Sequence, residues 1–381
     1  MSLNEEPLYG DYLRYYLNNR LYIMFSRDEC VFCCGKLEYL FNRDNYPITA
    51  SPPPSSNPYE NDIYSNQVFY TCQKCSCVQL GTLIDPSLLY QNSHNDTYLT
   101  PTWIDHHSEF SKFIMKLNSK DLLEIGGNGK LADLIDGSIE YSCLDICEPL
   151  EKLANVHYFK GNCEDYEYTN TYNVVMSHVF EHLFNPRRFV EKMDQCEIES
   201  VFLSIPNMKR ALELSVPNIL HNEHTFYVDE HNIRWLFSQF NYELSDSYEF
   251  RNHSLFLHFR RNTAIAKLEL IERREISTSL FSQMNSANFQ NLHIRANSFF
   301  APAGLFGQIL YYYTRATILG FLDNDTSKQG CRVYGTPCPV FNFDILKNYQ
   351  KCTIYLLAGN YNKEIKEKIQ SYNKDFEIIE L

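Results

Sequence analysis

Residues 121–145 read DLLEIGGNGKLADLIDGSIEYSCLD, and this segment sets the class of fold. The apolar stretch at 122–125 predicts a strand, and the glycines that follow it predict a tight turn. The pattern then predicts a helix over 130–135 and a second strand over 141–144, which ends at Asp145. A strand, a glycine-rich turn, a helix and a second strand make the first β-α-β unit of a doubly wound α/β sheet.

The glycine turn and the acid that ends the second strand form a candidate ligand site. Glycines let a ligand approach bare backbone, and a carboxylate at the end of the next strand can accept hydrogen bonds from a ribose diol. The two features resemble motifs I and II of S-adenosylmethionine-dependent methyltransferases, although Lys130 stands where that family has its third loop glycine. A plain strand–helix turn is the alternative. The residues that the resemblance assigns to the cofactor are Glu124, Gly126, Gly127, Asn128, Gly129 and Asp145.

The composition restricts the partners and the compartment. The chain has 381 residues and a net charge of −13, which disfavours nucleic acid as a partner because phosphate binding needs a basic surface. No apolar run is long enough to span a membrane, and the N-terminal residues lack a signal-peptide pattern. We therefore expect a cytoplasmic protein, with no membrane partner, whose 13 cysteines are thiols or metal ligands and not disulfides.

Two Cys-x-x-Cys pairs flank a proline-rich loop at 52–58 and predict a metal site. Cys30 pairs with Cys33, and Cys72 pairs with Cys75. Two such pairs can close a tetrahedral thiolate site around zinc, and four protein thiolates leave the ion no open position. The predicted zinc is therefore structural, in an N-terminal zinc-binding module. The neighbouring cysteines at 34 and 77 fit the spacing less well, and a set of reduced thiols without metal is the alternative.

The segments after Asp145 continue the alternation of strands and helices. Apolar residues from 156 onward predict the third strand, the segment 174–183 predicts the fourth strand with its turn, and 201–207 predicts the fifth. The loop after the third strand resembles the one that flanks the adenine in methyltransferases. That resemblance adds Asn162 and Cys163 to the predicted cofactor site.

The turn after the fourth strand carries the string SHVFEHL at 177–183. Together with the Asn-Pro that follows, it resembles the HVLEHL signature of class I methyltransferases, and it adds His178 to the predicted cofactor residues. A metal site of His178, Glu181 and His182 is the other interpretation. We disfavour it because the three residues lack the His-Glu-x-x-His order that places two ligands on one helix face.

The last third of the chain predicts a second, smaller Rossmann-like unit. A charged segment over 263–290 predicts a tethering helix, and strands are predicted over 298–301, 318–322 and 353–357. Strands that alternate with helices indicate a parallel sheet. We accordingly divide the chain into a zinc-binding module at 1–100, a methyltransferase domain at 101–262 and a C-terminal Rossmann-like, substrate-binding domain at 263–381.

The order of these three modules, with the string LDNDTSKQG at 322–330, resembles the nucleotide-sugar C-methyltransferases that make branched deoxysugars. The resemblance implies S-adenosylmethionine as cofactor and a nucleotide-linked 4-keto sugar as substrate. In that family the segment after the fifth strand carries the chemistry, and here it reads His-Asn-Glu-His at 221–224. His224 then falls on the base that takes the proton beside the ketone, with Glu223 as its neighbour and His221 in place of a tyrosine.

General chemistry agrees with these roles but leaves the acceptor atom open. A proton beside a carbonyl is acidic enough for a histidine base, and methyl transfer depends mainly on alignment. The run NHSLF at 252–256 replaces the family's usual Gly-Gly-Ser-Leu-Arg, so oxygen methylation of a related sugar is the first alternative. A non-catalytic module that binds a nucleotide sugar or a partner protein is the second. A dinucleotide-dependent oxidoreductase is disfavoured because the turn at 302–307 is a poor phosphate turn. We expect a monomer or a weak dimer.

Overall fold

The computed structural model describes residues 12–17, 20–90, 101–117, 121–149, 151–169, 173–213, 219–272, 274–285, 289 and 291–381. Their packing separates two compact units. The first unit draws its described residues from Met1–Phe41, Val68–Glu213 and Glu223–Ser279. The second unit draws them from Asn42–Gln67, Leu214–Asn222 and Leu280–Leu381. The predicted boundaries at 100 and 262 stay predictions.

The described residues form the strands β1 (Tyr12–Leu17), β2 (Arg20–Ser26), β3 (Leu37–Pro47), β4 (Tyr64–Cys72), β5 (Val78–Leu80), β6 (Thr82–Ile84), β7 (Asp121–Ile125), β8 (Glu140–Asp145), β9 (Val156–Lys160), β10 (Asn173–Ser177), β11 (Ser200–Pro206), β12 (Phe226–Tyr227), β13 (Tyr242–Phe250), β14 (Ser254–Arg261), β15 (Ser298–Ala301), β16 (Gly320–Leu322), β17 (Val340–Phe341), β18 (Thr353–Leu356) and β19 (Glu377–Glu380). The helices are α1 (Pro86–Leu89), α2 (Pro101–Met115), α3 (Pro186–Gln195), α4 (Met208–Glu213), α5 (Glu230–Gln239), α6 (Glu275–Asn285), α7 (Leu305–Thr314) and α8 (Asn362–Tyr372). None of these helices combines the length and the apolar character needed to span a bilayer.

The largest sheet of the first unit has the strand order β13-β14-β11-β10-β7-β8-β9. Strands β7 to β11 run parallel, and β14 and β13 add an antiparallel pair at one edge. The strand order reverses between β7 and β10, and ligands of doubly wound sheets bind beyond the carboxyl ends of the strands at such a point. The structure thus confirms the predicted doubly wound α/β sheet and its first β-α-β unit.

Both faces of this sheet are covered, which explains the continuous apolar runs in its strands. Leu122 and Leu123 are adjacent in β7 and fully buried, but they belong to two different hydrophobic clusters. Neighbouring strand residues point to opposite faces, so each cluster fills one side. Phe110 of α2 belongs to the cluster of Leu122 and covers one face of the sheet. Phe189 of α3 and Phe237 of α5 belong to the cluster of Leu123 and cover the other face. Each fully buried side chain of this size contributes about 1.5–3 kcal/mol.

The cysteines of the predicted zinc module share a core with the central sheet. A four-stranded sheet with the order β12-β5-β4-β3 includes the chain between the two cysteine pairs, since β3 and β4 follow Cys33 and β4 ends at Cys72. Phe226 of β12 lies opposite Gln79 of β5. The two cysteine pairs, in turn, belong to the same hydrophobic cluster as Val174 of β10 and Val201 of β11. The cysteine pairs and the central sheet therefore lie within one packed body.

The second unit contains a parallel five-stranded sheet in the order β17-β16-β15-β18-β19. Phe299 and Phe300 of β15 are fully buried in two separate hydrophobic clusters, so this sheet is also covered on both faces. The helices α7 and α8 connect parallel strands, as crossover helices do. The predicted second parallel α/β unit is confirmed.

Two helix predictions need correction. The helix predicted over 263–290 is confined to Glu275–Asn285 among the described residues. The segment before it is not helical, because its backbone bonds to the end of α5: Leu268 donates its N–H to the hydroxyl of Ser238 and accepts from the amide of Gln239. The helix after the glycine turn is a short 3-10 helix, Lys130–Leu134, which ends at the extended residue Ile135. The N–H of Ala132 donates to the carbonyl of Gly129, an i→i+3 bond of the kind that defines such short helices.

Candidate functional site

The loop between β7 and the short helix requires its glycines. Gly126 and Gly129 adopt φ angles of +73° and +85°, which L side chains rarely adopt. A Cβ on Gly126 would lie 2.4 Å from Cγ2 of Val179, and a Cβ on Gly127 would lie 2.0 Å from Cδ of Glu124. The loop therefore has no room for larger side chains at these positions. A loop without side chains leaves its backbone accessible to a ligand.

The side chain of Glu124 packs against this loop at Gly127. Its carboxylate is buried and accepts a hydrogen bond of 3.3 Å from the thiol of Cys143 on the neighbouring strand β8. Burial raises the pKa of Glu124 from 4.5 to about 7. A group that titrates this close to neutrality links the stability of the loop to pH.

We expect the unchanged protein to lose stability relative to a Glu124→Gln variant as the pH rises from 4.5 to about 7. A carboxyl whose folded pKa lies above its unfolded value stabilises the folded state below pH 4.5, and this contribution disappears as the pH rises through about 7. Between pH values well below 4.5 and well above 7, this contribution to the free energy of unfolding changes by about 3 kcal/mol, because each pKa unit corresponds to about 1.4 kcal/mol. Urea unfolding of both proteins at about pH 5 and about pH 8 measures it. A difference that stays constant with pH would contradict the assignment.

Asp145 and the glycine loop meet at one cleft, which we call the first cleft. The cleft has an empty volume of about 320 Å³, and both Gly127 and Asp145 line it together with Lys152, Tyr158 and Lys160. Asp145 ends β8, and its Oδ1 accepts the N–H of residue 147 at 2.7 Å. The two strongest elements of the predicted cofactor site are therefore brought together at the carboxyl ends of adjacent parallel strands.

Lys130 does not line the first cleft. Its side chain is exposed, and its N–H donates to Oδ1 of Asn128 at 3.1 Å, two residues earlier in the turn. The residue that replaces the third loop glycine thus begins a helix and points to solvent. Asn128 and Gly129 are placed as loop-forming residues, with the carbonyl of Asn128 accepting from the hydroxyl of Tyr158.

Asn162 and Cys163 lie in the loop after β9. Oδ1 of Asn162 accepts the N–H of Glu164 at 3.0 Å, and the carbonyl of Cys163 accepts from the hydroxyl of Tyr168 at 2.6 Å. Burial raises the pKa of the Cys163 thiol, which therefore stays protonated at neutral pH. Neither residue is part of the first cleft's lining, so their predicted contact with a cofactor stays a prediction.

His178 follows β10 directly, and its side chain is 18% exposed. Its Nε2 lies 2.8 Å from the hydroxyl of Ser254, and its ring packs edge-on against Trp103. Burial lowers its pKa to about 3, so the imidazole is neutral. The structure places it beside the rings of His106 and His253 and not among the residues that line the first cleft. Its predicted role toward the cofactor stays a prediction.

A second cleft opens at the carboxyl ends of β10 and β11. It has an empty volume of about 300 Å³, and Glu181 and His224 line it among mostly apolar residues. Nε2 of His224 lies 3.9 Å from Oε1 of Glu181, and the rings of His224 and His182 are 5.2 Å apart. The predicted base thus faces a cavity and has a buried carboxylate beside it. Burial raises the pKa of Glu181 to about 7.

The loops that carry Glu181 and His224 are tied together by Arg27, which the sequence analysis did not select. Its guanidinium donates to the carbonyl of Thr225 at 2.5 Å and to the carbonyl of Phe184 at 2.6 Å. The N–H of Thr225 donates in turn to the carbonyl of Glu181 at 2.9 Å. These contacts fix the two loops at the second cleft, although their residues are far apart in the chain.

The remaining residues of the predicted catalytic segment fall in different places. Glu223 belongs to the first unit, where its charge adds to burial in raising the pKa of Tyr90. His221 groups with the second unit, and the buried Asn222 donates there to the carbonyls of Pro47 and Ile48. The structure therefore places Glu223 near the second cleft's residues, while the role of His221 stays a prediction.

Tyr90 is a further residue that the sequence analysis missed. Its hydroxyl lies 2.9 Å from Nδ1 of His182, and its carbonyl accepts from the thiol of Cys147, which lines the first cleft. Burial raises the pKa of its phenol, and the charges of Glu223, Glu181 and Asp145 raise that pKa further. Tyr90 thus connects the surroundings of the two clefts, and no local sequence signal distinguishes it from the many other tyrosines of the chain.

The four predicted zinc ligands converge in one buried cluster. The thiols of Cys30 and Cys75 are 3.5 Å apart, as are those of Cys33 and Cys72, and all four sulfurs lie within 4.8 Å of one another. A tetrahedral zinc with bonds of about 2.3 Å separates its sulfurs by about 3.8 Å, so this donor set fits the ion. The exposed Cys34 stays outside the cluster.

The backbone around the cluster also donates hydrogen bonds to two of the sulfurs. Within each pair, the residue two positions after the first cysteine donates its N–H to that sulfur: Phe32 to Cys30 at 3.4 Å and Lys74 to Cys72 at 3.3 Å. Gly35 admits the cluster closely, because a Cβ there would lie 2.8 Å from the sulfur of Cys72. Such donors stabilise negative sulfur.

Comparison with known proteins adds a partial likeness. No protein-family model and no curated protein matches the chain. Among solved structures, a Burkholderia thailandensis 1,6-didemethyltoxoflavin-N1-methyltransferase with bound S-adenosylhomocysteine is 11% identical, with 45% of this chain and 84% of that chain covered and a TM-score of 0.35. Magnesium protoporphyrin IX methyltransferase from Synechocystis is 13% identical, with 42% and 85% covered and a TM-score of 0.33. The strand order and the two clefts, and not this likeness, carry the proposal that follows.

Proposed function

We propose that the chain is an S-adenosylmethionine-dependent methyltransferase whose central sheet is of the class I type. The first cleft carries this proposal, because Gly127 after β7 and Asp145 at the end of β8 line it together. The glycine loop lets the donor approach the backbone, and Asp145 accepts hydrogen bonds from the ribose hydroxyls. Asn162 and Cys163, in the loop after the next strand, flank the adenine.

We further propose a nucleotide-activated sugar, a 4-keto deoxy sugar methylated at carbon, as the acceptor. The order of the modules supports the substrate class, and the second cleft supports the chemistry, since His224 lines it next to a buried carboxylate. His224 takes the proton beside the ketone, and the resulting carbanion attacks the donor methyl group. Glu223 and His221 assist this histidine. Methylation of a sugar hydroxyl is the alternative, because a hydroxyl can give its proton to the same base.

The second unit offers a place for the nucleotide. A chain with a net charge of −13 needs a local cation to hold a diphosphate. Lys328, in the loop after β16, has its Nζ 2.8 Å from Oδ2 of Asp323 and 3.4 Å from the carbonyl of Ala303, which follows β15. We propose that these loops, at the carboxyl ends of two parallel strands, bind the nucleotide part of the substrate.

We propose one structural zinc ion in the cysteine cluster of the first unit. The four sulfurs and the N–H donors around them support it. When bound, the ion supplies folding free energy and no chemistry, because four thiolates leave it no open position. A monomer or weak dimer and a cytoplasmic location stay predictions.

Calorimetric titration with S-adenosylhomocysteine tests the donor site. Asp145→Ala is expected to weaken binding by about 1–3 kcal/mol, because it removes a charged hydrogen-bond acceptor from the cleft. Glu151→Ala is the matched control: it removes an exposed acid of the following loop and leaves the affinity unchanged. Absence of binding to the unchanged protein at millimolar ligand would exclude the methyltransferase and leave the non-catalytic sugar-binding module.

A further inference from the structure

Glu181 carries a buried carboxylate at the wall of the second cleft. It is 5% exposed, and neither Oε1 nor Oε2 accepts a hydrogen bond from the residues that the structure describes. Two histidines lie close to it, with Nδ1 of His178 at 3.4 Å and Nε2 of His224 at 3.9 Å from Oε1. A buried carboxylate in this state needs a proton, a cation or a metal ion.

Glu181 is also one of three side chains that converge with metal-ligating atoms. Ligand atoms of Glu181, His182 and His224 all lie within 4.8 Å of one another. The sequence suggests a different set, Glu181 and His182 with His178, and that set lacks the His-Glu-x-x-His order. His224 completes the set from a different loop, and only the fold brings it there.

We infer that Glu181, His182 and His224 bind a divalent transition-metal ion at the wall of the second cleft. Two imidazoles and one carboxylate suit Zn²⁺, Co²⁺ or Fe²⁺, and three protein ligands leave an open position for a further oxygen. The cysteine cluster of the same unit is the opposite case, with four ligands and no open position. The two sites therefore differ in both chemistry and accessibility.

The surroundings orient this donor set as metal sites require. Ligating histidines usually donate their second ring N–H to a fixed partner, and Nδ1 of His182 lies 2.9 Å from the hydroxyl of Tyr90. The loop carrying Glu181 is joined to the loop carrying His224 by the bond from the N–H of Thr225 to the carbonyl of Glu181.

The ion would border the cleft proposed for the acceptor. Glu181 and His224 line the second cleft, whose other walls are largely apolar. A cation at the open position supplies Lewis-acid charge to an acceptor oxygen, which raises the acidity of a neighbouring C–H or of the hydroxyl itself. Binding of the ion does not depend on the methyl donor; only this use of it rests on the proposed function. An ion held by Nε2 of His224 occupies the atom that would accept the proton, so the proposed role of His224 as base applies to the metal-free protein, and in the metal-bound protein His224 is a ligand.

Titration with Co²⁺ of protein that holds one zinc ion per chain, in the cysteine cluster, followed by visible absorption and calorimetry, tests the inference. We expect one Co²⁺ per chain with the weak bands of nitrogen and oxygen ligands and without intense thiolate-to-cobalt absorption, which would report exchange into the cysteine cluster. Glu181→Gln and His224→Gln should each weaken this binding at least about tenfold. His157→Gln, which removes an exposed histidine of β9, should leave it unchanged.

The zinc content of each variant verifies that the first unit is folded. Absence of the second ion in the unchanged protein, or equal Co²⁺ affinity in Glu181→Gln, would overturn the inference and leave His224 as the base. Titration of the same samples with S-adenosylhomocysteine separates the two proposals. Co²⁺ binding without S-adenosylhomocysteine binding would remove the methyltransferase and keep the metal site.

Discussion

Cys72→Ser is expected to release the zinc ion and to unfold the first unit. The thiol of Cys72 lies 3.5 Å from that of Cys33, and both belong to the hydrophobic cluster that contains the central sheet. A structural zinc ion contributes about 10–16 kcal/mol in zinc-finger peptides, as much as the whole stability of a typical protein, about 5–15 kcal/mol. Loss of one of four ligands therefore removes more free energy than the remaining contacts supply. Elemental analysis and thermal unfolding followed by circular dichroism measure both effects.

Cys34→Ser provides the matched control, because Cys34 adjoins a predicted ligand but is exposed and outside the cluster. The zinc content should remain one ion per chain, and the free energy of unfolding should change by less than about 0.5 kcal/mol. A Cys72→Ser protein that retains zinc and melts like the unchanged protein would refute the structural role. Zinc loss in Cys34→Ser would show that the ligand set is wrong.

The parts of the fold and site that could be predicted depend on local signals. The glycines after β7 and Asp145 after β8 lie within one β-α-β unit, so their spacing alone places them at the same sheet edge. The cysteine pairs are similar, since each pair occupies one turn and the choice against Cys34 follows from spacing. In such cases the sequence order already contains most of the geometry.

The second cleft could not be predicted in the same way. Glu181 and His224 stand on loops after different strands, and the contact between them depends on the pairing of β10 with β11 and on Arg27. Tyr90 contacts His182, the chain neighbour of Glu181, from a third segment. A sequence pattern carries spacing within an element, whereas these side chains meet through the topology of the whole sheet.

The helix predicted over 263–290 failed for a related reason. Its charge pairs are a local signal, but each pair is worth only about 0.2–0.5 kcal/mol. The bonds of Leu268 with Ser238 and Gln239 satisfy the same backbone groups from outside the segment. A tertiary contact thus outweighs a weak local preference, which a sequence pattern does not show.

Gly126→Ala is expected to weaken binding of S-adenosylhomocysteine at least about tenfold, which corresponds to about 1.4 kcal/mol. The residue has a φ of +73°, which costs an L side chain about 1–2 kcal/mol. The new methyl group would also lie 2.4 Å from Cγ2 of Val179, and overpacking of this kind costs about 1–3 kcal/mol. Because the N–H of Gly126 donates to the carbonyl of Leu144 at 2.8 Å, a shift of the loop also moves the end of β8 next to Asp145.

Two further variants separate these causes. Gly126→Ala combined with Val179→Ala removes the steric contact and keeps the backbone strain, so it should recover part of the affinity and not all of it. Gly137→Ala adds the same methyl group to the same β-α-β unit, at a position where no heavy atom of the described residues other than its chain neighbours lies within 4 Å of the new Cβ. The affinity of this variant should not change. If Gly126→Ala instead binds as tightly as Gly137→Ala, the loop after β7 does not contact the donor, and the first cleft loses its proposed occupant.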